Sequence, residues 1–189
     1  MRKSIPLFVA TLGAAFMALT LLITCMGIRA QPARAADTTY SVENLGALED
    51  GGASIARGVN TSGQVVGQSQ ERLPNVTPLQ LRAFFWDGGP MEDLGALGGG
   101  LSSTGSSAGR GINDSGQIVG FSRPPGTSNQ QAFVTKKDTD GTTQLVALDP
   151  LPGLPSSEAF AINESGQIVG RSSMLPGSGL IKLGRAFLY

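Results

Sequence analysis

The chain has 189 residues, no histidine, and one cysteine, Cys25, inside an N-terminal apolar run. Within one chain this excludes a Ser-His-Asp triad, a Cys-His pair, an imidazole base and a histidine or cysteine zinc site. Fourteen basic residues balance fourteen acidic ones, only 15% of residues are charged and 27 are glycine, so the chain is built for turns rather than long helices.

The first segment reads as an export signal. Met1, Arg2 and Lys3 make a positive start, no charged residue occurs from Ile5 to Ile28, and QPARAA at residues 31–36 carries an Ala-x-Ala cleavage site. Cleavage is expected between Ala35 and Ala36, leaving residues 36–189 as one repeat domain. The 24-residue uncharged run is also long enough to span a bilayer, so a retained anchor is the alternative. LITC at residues 22–25 is similar to a lipobox, with Thr24 where such boxes prefer a smaller residue. Removing residues 1–35 takes away four basic residues and no acidic one, which gives a cysteine-free chain of 154 residues with a net charge of −4. That balance argues against nucleic acid or an anionic membrane as partner. A secreted domain of this size without disulfides holds together by packing alone.

Three elements then recur in one order. NTSGQVVG at residues 60–67 returns as NDSGQIVG at 113–120 and NESGQIVG at 163–170, at spacings of 53 and 50. AFFW at 83–86 returns as AFVT at 132–135 and AFLY at 186–189, and VENLGAL at 42–48 as MEDLGAL at 91–97 and, more loosely, LVALDPL at 145–151. They define repeat 1 at about residues 40–87, repeat 2 at about 91–135 and repeat 3 at about 145–189. Length varies between the elements and not inside them, as loops allow.

Each repeat reads as short strands. Asn60, Asn113 and Asn163 suit the first position of a type I turn, and Gly63, Gly116 and Gly166 suit the positive φ of a following bulge, so each motif predicts a hairpin. The strands that follow carry adjacent apolar residues, such as Ile118 and Val119, which implies cover on both faces. The expected fold is all-β: three antiparallel units of about 50 residues and four strands, arranged as β-propeller-like blades, with a threefold β-prism or β-trefoil as the alternative. A strand at residues 42–46 is expected to pair with the one at 186–189. Three blades are fewer than the four to eight of most propellers, so either a homodimer completes a six-bladed ring or the chain is shortened and open.

These motifs resemble the HAF repeat of secreted bacterial proteins, which carries a leucine-glycine element, an Ile-Asn-x-x-Gly-x-Val-Val-Gly turn and a His-Ala-Phe strand. The match covers nearly all of residues 40–189, with Leu94, Gly95, Ile112, Asn113, Gly116, Val119, Gly120, Phe84, Phe85 and Trp86 fitting the pattern. The naming histidine is replaced by Arg82, Gln131 and Arg185, so no role of that histidine carries over. The resemblance implies an extracellular protein and no particular activity.

Local chemistry is sparse. GSSAG at residues 105–109 spells a nucleophile elbow, but no histidine partner exists and the pentapeptide is expected in a serine-glycine loop. Asp138, Asp140 and Gly141 are similar to the start of a calcium loop with its glycine misplaced, and a hairpin turn explains them better. The three Asn-x-Ser sequons coincide with the repeated turn. Glu92 and Asp93 are adjacent acids that do not recur in the other repeats. No catalytic, metal or cofactor site is therefore expected. The expected function is a secreted, non-enzymatic binding or surface-interaction module for a protein or polysaccharide, with a lectin-like sugar binder as the alternative and a carboxylate-dependent glycan enzyme as a remote one.

Overall fold

A computed structural model describes residues 40–72, 79–99, 104–174 and 184–189. All regular structure among them is β, in antiparallel sheets built from consecutive strands. The first sheet joins β1 (Ser54–Val59), β2 (Val65–Glu71), β3 (Gln80–Trp86) and the short β4 (Glu92–Asp93) in that order. The second joins β5 (Ser106–Ile112), β6 (Ile118–Arg123), β7 (Gln131–Lys137) and β8 (Thr143–Ala147). The third has three strands, β9 (Ser156–Ile162), β10 (Ile168–Ser173) and β11 (Gly184–Leu188), with β10 in the middle.

The first hairpin of each sheet turns on the asparagine motif. In the middle one, Gly116 N donates to Asn113 O at 3.0 Å and Asn113 N to Gln117 O at 3.1 Å. Gly116 takes φ +76°, a conformation that a side chain resists. The same bonds close the turns at Asn60 and Asn163, with φ +79° at Gly63 and +80° at Gly166. Each first strand bulges, at Arg57, Arg110 and Phe160, where the register with the second strand shifts. The bulge brings backbones together: a Cβ on Gly120 would stand 2.0 Å from Ala108 O. The glycine that ends each VVG or IVG motif is therefore fixed by this approach.

Two apolar cores lie at the junctions between sheets. Val66, Ala83, Leu94 and Leu97 meet Ile112, Ile118 and Phe133 between the first and second, and Val119, Ala132 and Leu148 meet Ala159 and Ile168 between the second and third. Strand β5 packs on β1, β2 and β3, and β9 on β5, β6 and β7. Full burial of Phe133 alone contributes about 2–3 kcal/mol.

Two local expectations are corrected. Within the single chain residues 42–46 form no strand, and among the described residues β11 pairs only with β10. The serine-glycine loop expected at 105–109 is instead the start of β5, because Ser107 satisfies backbone groups of the neighbouring sheet.

Candidate binding cleft between the first two sheets

The turn asparagines form a ladder and not a pocket. Asn60 Nδ2 donates to Gln64 Oε1 at 2.7 Å and to Asn113 O at 3.1 Å, and Asn113 Nδ2 donates to Gln117 Oε1 at 2.9 Å and to Asn163 O at 3.1 Å. Beside it, Thr61 N donates to Asp114 Oδ1 at 2.8 Å and Asp114 N to Glu164 Oε1 at 2.7 Å. The Thr61 amide holds the Asp114 carboxyl below its usual range. Asn163, Gly63, Gly116 and Gly166 complete the turns. Ala35 and Ala36, like Cys25, lie outside the described residues.

Serines close the sheet junctions. Ser107 Oγ accepts from Ala83 N at 2.9 Å and donates to Gly95 O, while Ser157 Oγ accepts from Ala132 N at 2.9 Å. Ser69, Ser122 and Ser172, fully buried, accept from Leu48 N, Leu97 N and Leu151 N, each at 3.0 Å. Ser107, the serine of the elbow-like pentapeptide, is thus engaged on both sides as donor and acceptor. The Asp138 to Gly141 region is a hairpin turn, with Gly141 N donating to Asp138 O at 3.0 Å. Among the described residues no three His, Cys, Asp or Glu side chains are grouped to hold a metal ion.

The charged cluster that the sequence hides centres on Arg82, which occupies the histidine position of the HAF-like pattern. Its side chain is fully buried and meets Asp93 through Nε at 3.2 Å and Nη2 at 3.1 Å, while Nη1 donates to Gly105 O at 3.2 Å. Glu71 Oε2 stands 3.9 Å from Arg82 Nε. Burial, reinforced by the Asp93 carboxyl and only partly opposed by Arg82, pushes Glu71 up to about 7. Glu71 Oε2 is buried and has no hydrogen-bond partner, which fits a carboxyl that favours its neutral form. The two carboxyls share one fully buried guanidinium, at 3.1 Å from Asp93 and 3.9 Å from Glu71. Its work is to hold β3 against β4.

A cleft runs alongside. One part, of about 630 Å³, is lined by Glu92 to Leu94 on the first sheet and Gly141 to Leu145 on the second. A second, of about 490 Å³, shares Glu92, Leu94, Gly141 and Thr143 and adds Gln64, Phe85, Asp87, Gln117, Thr135, Lys136 and Lys137. Its lining combines amides and hydroxyls, a half-buried aromatic ring and charges of both signs. Such a surface can bind a polar chain through many neutral hydrogen bonds. Neither β8 nor Phe85 was marked by the motifs as a site, since the cleft exists only once two sheets are packed.

No known protein family, curated protein or solved structure matches the chain. Among the described residues no helix is long and apolar enough to cross a membrane.

Proposed function

We infer that this chain is a secreted, non-enzymatic repeat protein whose sheets are propeller-like blades and whose cleft between the first two sheets binds a segment of protein or polysaccharide. The observation that carries the reading is the lining of that cleft: Gln64, Gln117 and Thr143 bring neutral hydrogen-bonding side chains to the same lining as Phe85, and Lys136 and Lys137 share it with Asp87 and Glu92 rather than forming a purely basic patch. The signal-like N-terminus and the HAF-like motifs support export, and a mature chain without histidine or cysteine favours binding over catalysis.

A lectin-like role is the second reading, favoured by Phe85 among neutral amides, an arrangement suited to stacking a sugar ring. Arrays of glycans and of peptides, probed with the purified protein, separate the two. Binding to one class is expected, with at least a tenfold loss in Gln117→Arg and Thr143→Arg. No binding to either class, or equal binding by both variants, contradicts the cleft as the site.

A further inference from the structure

Strand β11 and the segment from Leu45 to Ser54 expose complementary halves of one junction. Where the first sheet meets the second, Ala83 N donates to Ser107 Oγ at 2.9 Å and Leu94 N to Ala83 O at 2.9 Å. Where the second meets the third, Ala132 N donates to Ser157 Oγ at 2.9 Å and Leu148 N to Ala132 O at 2.8 Å. The counterparts for a third junction are Ala186 on the outer edge of β11, and Ser54 with Leu45 near the start of the chain. Ser54 is already half engaged, donating to Gly46 O as Ser107 donates to Gly95 O.

Burial follows the same logic. Val66 and Val119 are fully buried beneath the next sheet, while their counterpart Val169 is 47% exposed. At the other end Ile112 is 9% exposed and its counterpart Val59 is 66% exposed. Among the described residues the third sheet has no outer strand of the kind that β4 and β8 give the other two. By alignment with Glu92 and Asp93 of β4, that strand corresponds to Glu43 and Asn44, which are exposed and in no strand.

We propose that a second copy of this chain supplies the missing strand: residues 43–45 of each copy pair with β11 of the other. The register of β3 with β4 sets Glu43 opposite Leu188 and Asn44 opposite Phe187. Leu45 N then donates to Ala186 O, and Ala186 N to Ser54 Oγ. Asn163 Nδ2 reaches Asn60 O of the second copy and continues the ladder. Exchange in both directions closes a twofold, head-to-tail ring of six sheets and leaves no exposed strand edge at β11. Ala161 stands where Gly58 and Gly111 stand; a Cβ on Gly111 would lie 3.0 Å from Phe160 O, so this junction is slightly wider than the two within the chain. The proposal rests on the blade reading and requires no ligand.

Paired cysteines test it. In a Cys25→Ser background of the full chain, Glu43→Cys and Leu188→Cys place thiols on two exposed residues of the predicted pair, within reach of a disulfide across antiparallel strands. Mild oxidation is expected to give a covalent dimer on non-reducing gels. Adding Val169→Asp is expected to abolish the dimer while leaving the circular dichroism unchanged. A disulfide within one chain, a ladder of longer polymers, or no disulfide at all overturns the proposal. Cleft binding measured on the same variants keeps the two readings apart: a monomer that still binds overturns only the ring, and a dimer that binds nothing overturns only the cleft.

Discussion

Asn60 donates from Nδ2 to the main-chain oxygen of Asn113 at 3.1 Å, and Asn113 donates in the same way to Asn163 at 3.1 Å. A residue type suited to starting a turn therefore also joins one sheet to the next. The turn and the junction depend on the same side chain, so they are expected to fail together.

Replacing Asn113 by alanine removes its Nδ2 bonds to Gln117 and Asn163 and the acceptor for Gln117 N, at a position only 2% exposed. The expected cost is about 2–3 kcal/mol, read as a lower denaturant midpoint. A midpoint equal to that of the parent would contradict the ladder.

Gly120→Ala sets a Cβ against Ala108 O, which the bulged β5 cannot vacate without losing its pairing with β6. A loss of about 3 kcal/mol or more is expected, measured by thermal unfolding. Gly116→Ala, in open space but at φ +76°, is expected to cost only about 1–2 kcal/mol. The opposite ranking would show that turn strain, and not the close approach, fixes these glycines.

What could be seen in the sequence was local. Asn113 and Gly116 spell a turn because their conformational preferences are properties of single residues. The all-β class followed from such turns and from adjacent apolar pairs such as Ile118 and Val119. Ser107 was misplaced in a loop because its partners, Ala83 and Gly95, lie 24 and 12 residues away and give no periodic signal. Arg82 stayed hidden for the same reason: nothing in its neighbours announces Asp93 and Glu71 across two strands. Residues 42–46 carry the spelling of a strand, but within the single chain they pair with no sheet edge.

Stability is expected to depend on pH through Glu71, which faces Arg82, Asp93 and Glu49. Its folded value of about 7 lies above the ordinary 4.5, so the folded chain holds this proton more tightly than the unfolded one. The stabilisation is complete below about pH 4.5 and is lost as pH rises through about 7. Glu71→Gln is expected to flatten the melting temperature between roughly pH 5 and 8. A parent protein whose melting temperature climbs over that interval, with the variant unchanged from it, would contradict the buried pair.

Arg82→Ala leaves Asp93 and Glu71 without their shared cation in a partly buried site. A loss of about 3–5 kcal/mol is expected in denaturant titration. A loss below about 1 kcal/mol would mean that Arg82 acts as an ordinary surface cation.

Export is checked at the N-terminus. Protein collected outside an expressing cell is expected to begin at Ala36; a start at Met1, or a lipid on Cys25, would contradict cleavage after Ala35.

The exposed Val169 and Val59, the three-stranded third sheet and the unpaired residues 43–45 all bear on one quantity, the solution mass of the native chain. Light scattering on the purified chain, fractionated by size at micromolar concentration, is expected to give the mass of two copies. A single-copy mass at every concentration would contradict the completed ring.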